Sequence, residues 1–548
     1  MSRVRHLVHL TLVLATSLVL TACGGGGGGG SSYTPPPSGG GGGTTTTGWV
    51  SGVFKAASTF KDLCQTVRTG NDSEGNPFTD KAGSSLDEKN WLRSWTHETY
   101  LWNTEVTDTN PSLGGTPLVY FDSLKTNATT ASGKAKDEFH FSEPTADYLA
   151  RANSSASASY GANIAVLSGR VPRDVRIAYT EPGSPAEEIA DGQPKLIRGS
   201  KILTVNGVDL VNGATTQAQI DALNAALFPA STGITTTLTV RDPGASVDRT
   251  VTLTSQNLTE KSVNRTRILT NATGDKTGYV LFNTFSPYAS EKDLSDTMQA
   301  MKDQGVKGLV LDLRYNGGGL LTVASELGYM IAGSSHTAGK TFEKLRFNNG
   351  STGNDPVTGQ PNNPIPFYST AQGFSIADGT ALPSLDLGRV FVLTTDSTCS
   401  ASEAVINGLR GAGVEVVQIG GKTCGKPYGF YPQDNCGTTW YSIQFQGVND
   451  VGFGNYADGF EPADASDPVG VKITGCTAAD DFNHDLGNNG ETLLRTALSY
   501  AANNTCPSVP VAAFAASRSA APAVSNAPEL IPPRRWVPQT NRTMTRHP

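Results

Sequence analysis

The feature that most constrains the fold is an alternation of two kinds of segment between about residues 275 and 420. The runs "TGYVLFNTF", "VKGLVLDLRYNGGG", "RVFVLTT" and "VEVVQI" have the composition of buried strands. Between them lie "ASEKDLSDTMQAMKDQG", "LLTVASELGYMIAG" and the run after Ser400, where apolar residues recur at helical spacing. Strands that alternate with helices predict an α/β unit here.

Two further regions precede this unit, as a chain of 548 residues leads us to expect. Residues 155–256 show short strands and turns with one helix, and "TTTLTVRDPGASVDRTVTLT" predicts a hairpin around a Pro-Gly turn. Residues 55–150 are predicted to form a small helical domain. Its Trp91, Trp95 and Trp102 crowd into about three turns, which is typical of a core and not of a ligand cage. The chain is predicted to be multidomain, α+β and α/β.

The two ends of the chain have the composition of targeting and tail segments. Residues 1–22, with Arg3, Arg5 and a short apolar stretch before "LTAC", resemble a bacterial lipoprotein signal that is cleaved before Cys23, with lipid on the Cys23 thiol. Residues 23–54 are predicted to be a flexible tether, and residues 507–548 a disordered tail. Gly24 after the lipidation site favours the outer membrane, facing the periplasm, as the location in the cell envelope.

The cysteines predict disulfide bonds. Besides Cys23, the chain contains Cys64, Cys399, Cys424, Cys436, Cys476 and Cys506. An even number of cysteines in an exported protein is typical of disulfides. Local spacing favours Cys424 with Cys436 and Cys476 with Cys506, while Cys64 and Cys399 form a third bridge or stay reduced.

Charge and composition argue against several functions. The formal net charge of −7 gives no general basic surface for nucleic acid. The segment "DDFNHDLGNNGE" mimics a calcium loop, yet Leu486 stands where an EF-hand requires Gly and Thr492 where it requires Glu. We therefore predict no metal and no cofactor.

Three segments indicate acyl-transfer chemistry. A glycine-rich turn follows "LVLDLRYN", Ser400 lies at the next junction of strand and helix, and Lys422 and Lys426 follow one strand later. A serine hydroxyl needs an adjacent base to be a nucleophile, and a lysine can be that base where burial lowers its pKa. The purely structural alternative is that Ser400 and Glu403 form a capping box.

The motifs resemble those of a known family. "LVLDLRYNGGG", "CSASEAVINGL" and "TCGKP", in this order behind a PDZ-like segment, resemble the carboxyl-terminal processing proteases, family S41 of the serine endopeptidases. The resemblance covers about residues 155–450. It implies a PDZ-like domain over residues 155–256 and an S41 (ClpP/crotonase-like) α/β protease domain over residues 257–506. In the PDZ-like domain, "GSPAEEIA" matches the short helix, and the loop that receives a peptide C-terminus consists of Tyr160, Gly161, Ala162 and Asn163.

The resemblance assigns roles to individual residues. It implies that Ser400 is the nucleophile and Lys426 the general base. The amides of Ala401 and of Gly317 or Gly318 would form the oxyanion hole.

This chain also departs from the family pattern. Phe430 stands where the family usually has a Gln, four residues after the lysine, so we predict a Ser-Lys dyad. Gln444 is a candidate orienting group, and Lys422 is a rival base. A Ser-His triad with His97, His140, His336 or His484 has no support in the local sequence.

The predicted function is a lipid-anchored serine endopeptidase of the cell envelope that cleaves proteins or peptides and recognises their C-terminal segments. Its partners would be those substrates and, through the anchor, the membrane. One alternative is a catalytically inactive S41-like scaffold or peptide-binding lipoprotein. Another is a hydrolase of non-peptide esters.

Overall fold

The structure is a computed structural model that describes residues 49–72, 75–113, 115–154, 156–271, 274–351, 353–507 and 528–530. All of these residues belong to one compact unit that begins at Trp49. The predicted signal sequence, Cys23, and most of the predicted tether and tail lie outside the described residues. Within the described ranges, no helix is both long enough and apolar enough to cross a membrane.

In the region before residue 155, most of the regular secondary structure is helical, as predicted. Its elements are two 3-10 helices (Ala57–Thr59 and Asn103–Glu105), helices α1 (Ser85–Thr99), α2 (Pro117–Asp122) and α3 (Thr145–Ser154), and strands β1 (Leu63–Cys64), β2 (Lys81–Ala82) and β3 (Phe141–Pro144). Helix α1 begins with a capping box between Ser84 and Asp87. Trp91 and Trp95 are buried in one apolar cluster and Trp102 packs against a second, so the prediction of a core role for these rings is confirmed.

The next region, which we call the β-rich unit (residues 156–259), is mainly sheet. Its elements are β4 (Ala156–Ser159), β5 (Ala162–Ser168), β6 (Asp174–Thr180), β7 (Ile189–Ala190), β8 (Gln193–Pro194), β9 (Lys201–Val205), β10 (Val208–Asp209), helix α4 (Gln217–Leu227), β11 (Thr235–Arg241), β12 (Arg249–Thr254) and β13 (Gln256–Thr259). The main sheet has the order β12-β11-β9-β6-β5, which leaves β5 at its edge. Strands β11 and β12 pair antiparallel, so the predicted hairpin is confirmed.

One prediction for the β-rich unit is wrong. The segment "GSPAEEIA" forms turns that lead into β7 and not a short helix. The physical reason is that the backbone of Ala186 bonds to other segments and not within a helical turn. Its N–H donates to the Tyr160 carbonyl at 3.0 Å, and its carbonyl accepts the Leu196 N–H at 2.9 Å. The helix of this unit is α4, which begins at a capping box formed by Thr216 and Gln219.

The remaining region has α/β architecture. Its strands are β14 (Val263–Thr270), β15 (Lys276–Phe282), β16 (Gly308–Asp312), β17 (Thr341–Arg346), β18 (Ile365–Pro366), β19 (Arg389–Thr394), β20 (Glu415–Gly420), β21 (Tyr428–Gly429), β22 (Gln433–Asn435), β23 (Thr438–Tyr441), β24 (Phe445–Val448), β25 (Phe460–Pro462), β26 (Val471–Ile473) and β27 (Gly475–Thr477). Its helices are α5 (Ala289–Asp303), α6 (Leu321–Thr337), α7 (Ala401–Gly411) and α8 (Thr492–Asn503).

The central sheet explains the apolar runs in the sequence. Its order is β14-β15-β16-β19-β20-β27, and all neighbours pair parallel except β14 with β15. One face packs on residues of α5, α6 and α7, and the other on residues of α8. Strands covered on both faces are buried along their length, which accounts for continuous runs such as "GLVLD". The predicted α/β unit is confirmed.

The helical region is joined to the α/β region by strand pairing and by a disulfide. Strand β3 pairs with β23, and Trp440 from β23 lies in the same apolar cluster as Trp91. Cys64 is bonded to Cys436, which lies 372 positions later in the chain.

The disulfide predictions are partly wrong. Cys476 is bonded to Cys506, as predicted. Cys424 is bonded to Cys399 and not to Cys436, and no third bridge joins Cys64 to Cys399. Spacing along the chain failed because β3, β22 and β23 bring the helical region onto residues 433–441, which places Cys64 beside Cys436.

Candidate functional site

Ser400 lies where the chain leaves strand β19 and enters helix α7. It is the N-cap of α7, is fully buried, and has φ 58° and ψ −113°. A residue with a side chain seldom adopts that conformation, and such outliers persist only where the surrounding structure enforces them. The first turn of α7 directs backbone N–H groups past Ser400, and a helix N-terminus stabilises negative charge.

Glu403 connects the loop that holds Ser400 with the loop that holds Lys426. Its Oε2 accepts the N–H of Ser400 at 3.0 Å and of Lys426 at 2.8 Å, while Oε1 accepts the N–H of Gly425 at 2.8 Å and the Thr423 hydroxyl at 2.5 Å. Burial raises the pKa of the Glu403 carboxyl, and these hydrogen bonds oppose the rise. The capping-box contact predicted for Glu403 is therefore one part of a larger clamp. No sequence signal indicated the other part.

The glycine-rich turn after β16 approaches Ser400 closely. A Cβ placed on Gly318, where φ is +106°, would lie 2.8 Å from the Ser400 Cβ and 2.9 Å from the Ala401 nitrogen. Only glycine allows both this backbone conformation and this approach. The predicted oxyanion residues Ala401 and Gly318 are thus brought against the predicted nucleophile.

Asn316 fixes the turn against helix α7. Its carbonyl accepts the Cys399 N–H at 3.0 Å and the Ser402 hydroxyl at 3.0 Å. Its side-chain Oδ1 accepts the Gly318 N–H at 2.9 Å. Since the Gly318 amide is engaged by Asn316, Gly317 is the better of the two predicted donors from this turn.

Lys426 lies in an apolar enclosure. It is fully buried, with its Nζ 4.3 Å from the Phe430 ring centroid and 4.6 Å from that of Phe139. Aromatic faces attract an ammonium and at the same time exclude water from it. Phe430, the residue that departs from the family pattern, is one wall of this enclosure. Phe139 comes from the helical region, and its part in the site was not predicted because nothing in its local sequence marks it.

The rival base is placed differently. Lys422 pairs with Asp467, and about a quarter of its side chain is exposed (28% relative exposure). The Lys422 ammonium is engaged by a carboxylate, whereas Lys426 is fully buried against two aromatic rings, so the environment of Lys426 suits a general base better.

A disulfide spans the same two loops. Cys399, adjacent to Ser400, is bonded to Cys424, two residues before Lys426. These two sulfurs and the Glu403 carboxylate lie within 4.8 Å of one another, which is a spacing suited to a metal ion. Because the sulfurs are bonded to each other, this cluster offers no thiolate ligands.

The other residues considered from sequence make contacts of their own. The Gln444 Oε1 accepts the Tyr431 N–H at 2.7 Å, and its Nε2 lies 3.5 Å from the Thr99 hydroxyl. The His140 Nε2 lies 2.9 Å from the Phe121 carbonyl oxygen, and the His484 Nδ1 lies 2.7 Å from an Asp481 oxygen. The role of Gln444 as an orienting group stays a prediction.

The loop predicted to bind a peptide C-terminus lies in the β-rich unit. The Tyr160 side chain is buried, with its hydroxyl 2.8 Å from that of Thr236. The Gly161 N–H donates to the Ser159 hydroxyl at 2.9 Å. Ala162 begins edge strand β5, and the Asn163 amide donates to the Tyr179 hydroxyl at 2.7 Å. The Gly161 amide is thus occupied, and the role of this loop stays a prediction.

A buried ionic network joins the β-rich unit to the base of the site. Arg198 donates to Asp480 at 2.6 Å and to the hydroxyl of Tyr315, the residue before Asn316, at 2.7 Å. Arg314 donates to the same Asp480 oxygen at 2.7 Å. Charged groups are rarely buried unless they are paired in this way.

Comparison with known proteins identifies the region around the site. Residues 276–429 match the model of Peptidase family S41. A carboxyl-terminal-processing protease from Picosynechococcus sp. is 28% identical over 245 residues, which cover 45% of this chain and 49% of the relative. Another from Synechocystis sp. is 32% identical over 146 residues, which cover 26% of this chain and 31% of the relative. The matches thus span half or less of the length of these curated relatives.

A solved structure extends the likeness in fold. A protein from Bacteroides fragilis described as an S41 protease superimposes with a TM-score of 0.55 at 24% identity, covering 76% of this chain and 97% of its own. At this identity the likeness shows the fold alone.

Proposed function

We propose that the chain, of which residues 276–429 match the model of Peptidase family S41, is a serine endopeptidase in which Ser400 is the nucleophile and Lys426 the general base. The observation that carries the proposal is the Glu403 clamp. One carboxylate accepts the backbone N–H groups of both residues, at 3.0 and 2.8 Å, and so fixes the two loops against each other. A nucleophile and its base need such fixed proximity.

The first step forms an acyl-enzyme. The Ser400 Oγ attacks the carbonyl carbon of the scissile peptide bond, and its proton passes to the Lys426 Nζ. The oxyanion that develops accepts hydrogen bonds from the amides of Ala401 and Gly317, at the N-terminus of α7. As the tetrahedral intermediate collapses, the C–N bond breaks and the Lys426 ammonium returns the proton to the leaving amine.

The second step releases the product. Neutral Lys426 takes a proton from a water molecule, which attacks the ester carbonyl on Ser400. Collapse of the second tetrahedral intermediate breaks the ester bond, and the Lys426 ammonium returns its proton to the Ser400 oxygen, which regenerates the hydroxyl and the neutral base. Ser400 and Lys426 are both fully buried, so a substrate has to displace residues that cover the site before the first step.

The test is cleavage of an unfolded protein by the chain from residue 49 onward. Ser400→Ala should abolish cleavage, and Lys426→Ala should lower it by roughly 10²–10⁴-fold, which is the usual contribution of a general base. Ser397→Ala is the matched control, because this half-buried serine lies three residues away in the same loop. Lys422→Ala is the control for the base. Full activity of a clean Ser400→Ala preparation, or a larger loss with Lys422→Ala, would refute the assignments.

The β-rich unit supports a substrate class. Its sheet ends in edge strand β5, and a peptide can add to such an edge while backbone groups bind its end. We propose that this PDZ-like unit recognises C-terminal segments of substrate polypeptides. Peptides that differ only in a free or an amidated C-terminus would test this, since amidation should weaken binding if the carboxylate is recognised.

The proposed location is the cell envelope. The sequence before residue 49, with "LTAC" at residues 20–23, supports a lipid anchor on Cys23. Cys23→Ser should abolish acylation and release the chain from the membrane fraction. Acylation that survives this substitution would refute the proposed anchor on Cys23 and leave the peptidase proposal intact.

If the wild-type chain binds peptides without cleaving any, the alternative of an inactive scaffold holds instead.

A further inference from the structure

Three residues from the region predicted to be a disordered tail make specific contacts with the β-rich unit. Leu530 is buried, with 2% of its surface exposed, within the apolar core of that unit. Its N–H donates to the carbonyl of Gly169 at 2.9 Å. Gly169 directly follows edge strand β5, so the contact lies where that strand ends.

Arg173 binds the same segment. Its buried guanidinium donates to the Pro528 carbonyl at 3.0 Å. Its other hydrogen bonds go to carbonyls within the β-rich unit, namely those of Gly169, Leu210, Gly213 and Ala214. The guanidinium is thus held rigidly by its own unit and directs one N–H at the backbone of the segment.

The backbone at residue 169 is shaped for this contact. A Cβ on Gly169 would lie 2.6 Å from the Leu530 carbonyl oxygen and 3.0 Å from the Glu529 Cγ. Any larger residue at position 169 would therefore push the segment at residues 529–530 away from the β-rich unit. Glu529 also pairs with Arg170 at 3.3 Å, but both side chains are well exposed, so this ion pair adds little.

We propose that Pro528–Leu530 is an internal ligand of the β-rich unit, one that a substrate segment must displace. The contact uses one main-chain hydrogen bond at the end of an edge strand, one hydrogen bond from the Arg173 side chain to a main-chain carbonyl, and one apolar anchor. Peptides that add to sheet edges are recognised by the same kinds of contact. The site thus takes an extended segment with a leucine-sized aliphatic residue, two positions after a carbonyl that Arg173 binds. The consequence for cleavage rests on the proposed function, whereas the binding itself does not.

A tethered ligand has a high effective concentration, commonly in the millimolar range, so it masks its site against dilute peptides. The probe is a fluorescent peptide with the sequence of residues 526–532, titrated into the full chain by fluorescence anisotropy. Ser400→Ala is present throughout so that the probe is not cut. We expect Leu530→Asp in the chain to tighten probe binding at least tenfold, because the tethered competitor is lost.

Two further variants keep the test decisive. Glu529→Ala removes only the exposed ion pair and should change probe binding less than twofold. Gly169→Ala adds a methyl group at the contact without changing the sequence of the segment, and should abolish tight probe binding even when combined with Leu530→Asp. A probe with Asp in place of Leu should not bind. Equal probe affinity of the Leu530→Asp chain and its parent, or probe binding that survives Gly169→Ala, would overturn the proposal.

A separate measurement tests the consequence for cleavage. With Ser400 intact, Leu530→Asp should raise kcat/KM for an unfolded protein at low substrate concentration. If probe binding tightens and cleavage is absent in every variant, the proposed function fails and the internal ligand stands.

Discussion

Cys399 and Cys424 form a disulfide that joins the residue before Ser400 to the loop of Lys426, with Cα atoms 5.2 Å apart. Glu403 ties the same two loops together by hydrogen bonds. The relative position of nucleophile and base thus depends on one covalent and one polar connection.

The first prediction concerns this bridge. The double variant Cys399→Ser with Cys424→Ser should lower kcat by about 10²-fold, which is the usual cost of a small misplacement of catalytic groups. The matched control is Cys476→Ser with Cys506→Ser, which removes a bridge joined to the far edge of the sheet. Activity on an unfolded protein and circular dichroism should be measured together. Equal losses in both double variants, or none in the first, would show that the bridge does not position the site.

The second prediction concerns Glu403. In Glu403→Gln, one carboxylate oxygen is replaced by an NH2 group, which cannot accept a hydrogen bond. The buried donors that this oxygen served therefore lose their acceptor. We expect a loss of about 3 kcal/mol in the free energy of unfolding, since hydrogen bonds to charged or buried groups are costly to break, and a clear fall in kcat. Glu415→Gln is the control, because Glu415 is partly exposed beside Arg389 and should change stability by about 0.5 kcal/mol or less. Denaturant unfolding provides the measurement, and equal stability of the two variants would contradict the role of the clamp.

The third prediction concerns the ring over Lys426. Phe430→Leu keeps an apolar wall but removes the aromatic face, which stabilises an ammonium by about 0.5–2 kcal/mol. Neutral lysine should then form at lower pH, so the midpoint of the pH–rate profile should fall by roughly 0.4–1.5 pH units, at 1.36 kcal/mol per unit. Phe374→Leu, a buried ring that stacks on Tyr288, is the control. A midpoint that stays put or rises in Phe430→Leu would show that the ring does not act on the base.

The fourth prediction concerns a buried pair of carboxyl groups. Glu291 and Glu326 both accept the Gln372 N–H, at 2.8 and 3.0 Å. Burial, together with the neighbouring Glu291, raises the pKa of Glu326 to about 9. Above about pH 4.5 the unfolded chain loses this proton while the folded chain keeps it, so stability falls as pH rises from about 4.5 to 9.

The glutamine variant should remove that fall. We expect the melting temperature of Glu326→Gln to decline less than that of the wild type between pH 5 and pH 9, measured by calorimetry. Glu415→Gln should follow the wild type. Parallel declines of Glu326→Gln and the wild type would refute the assignment of this loss of stability to Glu326.

The sequence predicted those parts of the site that lie within one short motif. The junction of β19 and α7, with Ser400 at its centre, follows from an apolar run, small polar residues and a helical repeat, all of which are local. The capping contact of Glu403 follows from three-residue spacing. The α/β sheet follows from continuous apolar runs that both faces bury.

The features of the site and fold that the sequence did not predict are contacts between segments that lie far apart in the chain. Phe139 reaches Lys426 from the helical region, and Cys64 reaches Cys436 because β3 pairs with β23. Residues 183–187 form a turn and not the predicted short helix, because the Ala186 N–H donates to the carbonyl of Tyr160, more than 20 positions away. Patterns within a short stretch of sequence do not indicate which distant residues will contact it.

The bond between Cys64 and Cys436 also changes what a backbone cut would do to this molecule. The whole of the β-rich unit and the α/β region as far as β22 lie inside the covalent loop that this bond closes. A single nick in any exposed turn between these cysteines, whether made by autolysis or by another protease, releases no fragment. The nicked molecule would therefore gain only the mass of one water molecule and would run with the intact chain on a non-reducing denaturing gel. Only after a reducing agent opens the loop would the cut become visible as two fragments.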